Sequence, residues 1–291
     1  MVLMVIAMVV GLWIGMDRKT RPVRQGGVPD EIAGAFAKSK KTIGAENPGI
    51  GGAGIGEAAA TSSPRQPLQF RAKAVEPEAV LAVLASGKQT VNERVRQLQG
   101  MRGISLSKEE HEAALAFLAG REVPEGMGKG SIHWLADELL TVMRMQEPPW
   151  EGLAAALGEA AFQPETDPVV RDYIMQHLGH LWEQGGARQE MESALWRAVG
   201  TTDETTPGSA LIALSRGYER DQQEKNLAEV RRRAFDLAQN PDTGLAVRVT
   251  ALSIAGDGGG REVTELAENL AKNPETPVIL KKVAERIVGT R

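Results

Sequence analysis

The chain has 291 residues, enough for one or two ordinary domains, and no cysteine, which excludes disulfides and thiolate chemistry. Aromatic residues make up only 4%, a balance that favours helices packed through small aliphatic side chains over β-sandwiches. The net charge of −4 is unevenly placed: residues 17–75 hold ten Lys/Arg against five Asp/Glu, a net of +5, and the remainder hold 24 against 33, a net of −9. The acidic remainder argues against a nucleic-acid groove, which needs a concentrated basic face.

The first sixteen residues, MVLMVIAMVVGLWIGM, are apolar without interruption and end at Asp17-Arg18-Lys19. They fall a little short of the roughly 20 residues of a spanning helix. They also lack the basic start and the Ala-x-Ala-like site of a cleaved signal peptide. The expectation is a single-pass membrane anchor over 1–16. Arg18, Lys19, Arg21 and Arg24 follow it, so the positive-inside rule puts the body on the cytoplasmic side. A true start further upstream, with basic residues of its own, would reverse this and export the body.

Residues 17–75 read as a flexible, basic, Gly/Pro-rich linker, with a short helix around 30–41. Gly49, Gly51 and Gly54 spell a formal G-x-G-x-x-G. A dinucleotide site needs a strand before that motif and a helix after it, and the preceding "AKSKKTIGAENP" is polar throughout. No cofactor is expected.

From residue 76 to 291 the pattern is helix after helix. Thr90-x-x-Glu93 and Ser107-x-x-Glu110 are capping boxes, in which hydroxyl and carboxylate satisfy orphan amides reciprocally. Gly100 and Gly120 stand where these helices would end. "SIHWLADELLTVMRMQ" carries Ile132, Leu135, Leu139, Leu140 and Met143 at helical spacing and stops before Pro148-Pro149. Asp167 can cap the next helix, with Pro168 in its first turn. Four stretches then end alike, at Gly179, Gly217, Gly256 and Gly289, with partner helices expected at 187–199, 222–239 and 260–272. A recurring helix pair of this period is how stacked hairpins look in sequence.

Asp167-Pro168-Val169-Val170-Arg171 resembles the opening of the second helix in the HEAT-repeat family. Val247-Arg248 before Gly256, and Leu280-Lys281 before Gly289, are weaker echoes, while Thr206-Pro207 keeps only the proline. The resemblance covers roughly residues 131–291. It implies an all-α fold, a right-handed α-solenoid of HEAT-like hairpins, whose usual work is to present surfaces to other proteins. No catalytic residue carries over.

His177-x-x-His180 is the sharpest candidate for chemistry. Two imidazoles at i and i+3 can reach one metal, but a catalytic zinc site needs a third protein ligand and an open position. Val170, Ile174, Leu178 and Leu181 fall within an arc of about 80° on a helical wheel, with His177 beside them and His180 on the flank. The expectation is a partly buried, hydrogen-bonded His177. "EEHE" at 109–112 reads as acids at a helix N-terminus, and "GDGGG" at 256–260 as an interhelical turn. Arg231, Arg232 and Arg233 are candidate contacts for a partner's acids, on a face that is otherwise simply solvated. The sequence thus points to a membrane-tethered, non-catalytic helical-repeat scaffold that binds a protein or peptide. The competing readings are a metal-dependent enzyme built on His177 and His180, and a spacer without a specific ligand.

Overall fold

The computed structural model describes residues 79–85, 89–121, 127–185 and 188–290. All fall in one compact unit, Lys73–Arg291. The anchor expected at 1–16 and the linker expected at 17–75 lie outside the described residues.

Twelve helices, and no strand, are found among the described residues. They are α1 (Ala79–Ala85), α2 (Val91–Gly100), α3 (Lys108–Leu118), α4 (Lys129–Arg144), α5 (Leu153–Ala161) and α6 (Pro168–Glu183), then α7 (Arg188–Val199), α8 (Thr206–Arg220), α9 (Glu224–Gln239), α10 (Leu245–Gly258), α11 (Arg261–Lys272) and α12 (Val278–Gly289). The fold is all-helical. No helix among the described residues is long and apolar enough to cross a membrane.

Local chemistry accounts for the boundaries. Both capping boxes form: Thr90 accepts from the Glu93 amide while Glu93 accepts from the Thr90 amide, and Ser107 and Glu110 do the same. Glu110 has a second use, since its Oε1 accepts the Val80 amide at 3.1 Å and ties α1 to α3. Asp167 caps α6 by accepting from the Val169 amide at 2.8 Å, with Pro168 where the missing N–H is harmless. α10 ends through Gly259 and Gly260, whose φ values of 66° and 113° suit glycine alone.

Three of the six glycines expected to end helices lie inside them instead. α6 continues past Gly179 to Glu183, α8 past Gly217 to Arg220, and α10 past Gly256 to Gly258. Their role is close approach. A Cβ on Gly179 would stand 2.8 Å from the Ala213 Cβ, on Gly217 2.6 Å from the Trp182 ring, and on Gly256 2.7 Å from Ile287 Cδ1. Each glycine therefore marks where one even-numbered helix presses on another. Gly100 is the last residue of α2, Gly289 that of α12, and Gly120 stands just beyond α3 with φ 76°, so these three end helices as expected. Beyond α2 the positive φ belongs to Gly103 rather than Gly100.

Packing follows chain order. The even-numbered helices form one row, each against the next from α2 to α12, and α1, α3, α5 and α7 form a second row beside it. Each odd helix packs on the even helix that follows it. The side-chain bonds between neighbours in the even row repeat at nearly constant offset: 40 positions for Asp137–His177, 39 for Trp182–Asp221, 33 for Ser253–Arg286. From His133–Asp167 to Asp137–His177 both partners advance together, so α4 and α6 run in the same direction. A single apolar cluster runs through the array, from Val80 on α1 to Ile287 on α12.

Candidate functional site

The two histidines of α6 meet different surroundings, one buried against a neighbouring helix and one partly exposed. His177 lies on the flank of α6 that meets α4, is 6% exposed, and has its Nε2 3.3 Å from Asp137 Oδ1. Burial pushes its pKa below the ordinary value, against the opposing pull of the Asp137 hydrogen bond. Asp137 can only accept from a neutral ring, so Nε2 carries the proton and Nδ1 is a bare acceptor. That Nδ1 is buried and has no hydrogen-bond partner among the described residues.

His180 turns the other way. It is partly exposed, and its Nδ1 lies 3.3 Å from Glu183 Oε2 on its own helix. The two imidazoles stand edge to face with centroids 6.2 Å apart. Among the described residues no group of three or more His, Asp or Glu side chains is placed to hold a metal. The remaining histidines are separate: His111 bonds Gln146 at 2.9 Å and stacks on Trp150, and His133 bonds Asp167 at 3.1 Å.

Charged groups lie near these histidines. Arg144, at the end of α4, is partly buried, and its Nε is without a partner among the described residues. Burial lowers its pKa first, the nearby Arg102 adds to that, and Glu183 and Asp137 oppose it. Glu183 reaches Arg216 of α8 at 4.0 Å. Tyr173, one turn before His177, has its phenol pushed upward by burial and then by the charges of Asp137, Asp172 and Asp167.

The most exposed aromatic of this region is Trp134, on α4 one turn before Asp137. It is 61% exposed, the one aromatic among the exposed large apolar side chains of the described residues. Sequence reasoning passed over it. The signal was present: Trp134 falls roughly 160° from the centre of the stripe made by Ile132, Leu135, Leu139, Leu140 and Met143.

The three arginines of α9 do not act as one cluster. Arg232 is engaged with Glu229 at 2.5 Å and Asp236 at 3.3 Å, in exposed i, i+3 and i, i+4 pairs. Arg231 lies against Gly258 and reaches Glu219 at 4.0 Å, and Arg233 occupies a third direction on the helix.

A second polar knot joins α6, α7 and α8 and is structural in character. Trp182 donates to Asp221 at 3.0 Å and meets Tyr218 edge to face. Arg188 lies over both rings, and Tyr218 donates to Glu192 while accepting from Trp196. Burial and the Glu192 carboxylate push the Tyr218 phenol up to about 12.

No family model matches this chain, and no curated protein or solved structure matches it either.

Proposed function

We propose that the helical body is a HEAT-like right-handed α-solenoid, a non-catalytic scaffold held to a membrane by residues 1–16, which binds a protein or peptide partner on the outward face of its even-numbered helices. The observation that carries this reading is the recurring offset between bonded side chains along the even row. Side chains 33 to 40 positions apart meet again and again, so each helix packs on its neighbours in the chain and the apolar core continues through them. Arg171 adds support, because its Nε donates to the Ala161 carbonyl ten positions back at 2.7 Å. Arg248 does the same to Ala238 at 3.1 Å. These are the two basic residues that follow valine in the HEAT-like openings, and both close the end of the preceding odd helix. A row of helices that run alike presents a broad, repetitive face, the form of surface by which helical arrays hold other proteins.

The metal-dependent reading has less behind it. His177 and His180 point their bonded nitrogens at different carboxylates on different helices, Asp137 of α4 and Glu183 of α6. The membrane anchor rests on the apolar run ending at Asp17.

The test uses the full chain in cells, with a photoreactive residue at position 134 or 176 on the even row, or at 225 or 261 on the odd helices. Adducts specific to the even positions support the scaffold. Adducts absent everywhere, or equal on both rows, overturn it. In the same cells, pelleting that resists carbonate and disappears when residues 1–16 are deleted supports the anchor. Release by salt alone refutes it.

A further inference from the structure

We infer that Trp134 and Asp137 together form a docking site for a cationic side chain, Arg or Lys, carried by an extended basic segment of a partner protein. This rests on the scaffold reading above and adds the chemistry of the partner.

A single exposed apolar side chain is unremarkable by itself. Trp134 differs in its neighbours. Asp137, one turn further along α4, has a side chain 57% exposed. No Lys or Arg among the described residues forms an ion pair with it, and its hydrogen bond comes from a ring that burial keeps neutral. On the facing helix, Tyr173 lies within the field of Asp137, Asp167 and Asp172 together. Arg144 is two turns away along α4 and acts on Glu183 as well as Asp137. Arg171 is occupied by Asp203 at 2.7 Å. Lys129, at the start of α4, is the one exposed cation at that end among the described residues, and against it stand the carboxylates of Asp137, Asp167 and Asp172, with the open indole of Trp134 one turn before Asp137.

An indole face attracts cations, and more strongly where carboxylates lie beside it. An apolar partner would have to strip water from Asp137 without replacing it, and an anion would meet the carboxylates directly. Neighbouring packed helices lie about 8–10 Å apart, a span of roughly three extended residues. One cationic side chain of a segment crossing from α4 to α6 can thus sit over Trp134 with Asp137 as its counter-ion.

The experiment measures fluorescence anisotropy of a labelled Gly-Ser-Arg repeat peptide, and of its Gly-Ser-Glu counterpart, against the full-length chain in detergent. The arginine peptide should bind and the glutamate peptide should not. Trp134→Ala and Asp137→Asn should each weaken binding about fivefold, with Trp134→Phe falling between. Glu262→Gln on α11, an equal change of charge elsewhere, should leave binding within about twofold of the unmodified chain, as a remote surface charge does. Position 134 is exposed, so its variants should keep the parent melting curve. Equal binding of both peptides, or unchanged affinity in both Trp134→Ala and Asp137→Asn, overturns the site. Self-association that Trp134→Ala abolishes would assign the surface to a second copy and overturn it too. Photo-adducts at position 134 with no arginine-peptide binding would sink the cationic chemistry alone. Loss of both would remove the scaffold reading with it.

Discussion

His177 and Asp172 lie on opposite flanks of α6 and carry buried polar groups whose pKa values are displaced in ways that give opposite dependences on pH. The folded-state pKa of His177 is below its unfolded value of 6.5. The unfolded chain therefore binds a proton first on acidification, and stability falls as pH drops below that value. His177→Ala should cost about 1–3 kcal/mol at neutral pH through lost packing and a lost bond, and should flatten the loss between pH 6.5 and the depressed native value. Urea midpoints across that range check this, and an unchanged slope in the variant would count against it. Zinc should leave the melting temperature of the parent chain unchanged, because an ion stabilises only by preferring the native state. Asp172 is 2% exposed, and burial raises its pKa above 3.8 although Gln176 donates to Oδ2 at 3.0 Å and the Ser209 and Thr205 hydroxyls oppose the shift. Its protonated form is the better tolerated one, so its stabilising contribution is present at low pH and is lost as pH rises through the native pKa. Asp172→Asn should raise stability by about 1–3 kcal/mol at pH 7, with no gain below pH 3.8, as read from thermal melts. That His177 is buried and His180 on the flank was legible from the wheel alone. Asp137 as its partner was not, because the two are 40 positions apart and only tertiary packing joins them.

At the scale of the helix, the caps were readable because they are local. Thr90 with Glu93, Ser107 with Glu110, and Asp167 with Pro168 satisfy orphan amides within a single turn, so the chemistry is complete in the sequence. The partner helices at 188–199, 224–239 and 261–272 also fall within two residues of the expected starts and at the expected ends. Gly179, Gly217 and Gly256 were misread for a related reason. A C-terminal glycine and a glycine at a helix crossing look alike until the neighbouring helix is in place. The distinction predicts a change of sign. Gly130, in the first turn of α4, has nothing within 4 Å of an added Cβ, so Gly130→Ala should stabilise by about 0.5 kcal/mol. Gly217→Ala, at the Trp182 ring, should destabilise by about 1–3 kcal/mol, and Gly179→Ala should follow it in direction. Chemical denaturation of the three variants decides the matter. Stabilisation in all three would mean that the helices do not meet as closely as described.

Across the whole array, the even row is continuous and the odd row is not. α1, α3, α5 and α7 pack in succession, but beyond α7 the remaining odd helices are held mainly by even helices, α9 by α8 and α10, and α11 by α10 and α12. In an array bound by nearest neighbours, opening occurs where the fewest interfaces are lost. Parting α6–α8 exposes the faces between α6 and α8 together with the knot of Trp182, Tyr218, Arg188 and Asp221. Parting α8 from α9 and α10 breaks no comparable aromatic knot. There Gly208 faces Thr250 at 3.5 Å, an ordinary contact, and Arg231 reaches Glu219 only at 4.0 Å. The seam between α8 and α9 should therefore yield before the one between α6 and α8. Native-state hydrogen exchange should show α9–α12 opening as a unit at lower free energy than α5–α8. Tyr218→Phe, which deletes the hydroxyl shared by Trp196 and Glu192, should narrow the gap by weakening the tighter side. Removing a hydrogen bond of this kind is worth about 1 kcal/mol, large enough to be read in the protection of α6–α8. Uniform protection from α5 to α12, unchanged in Tyr218→Phe, would mean that the missing contacts of the odd row do not weaken the array.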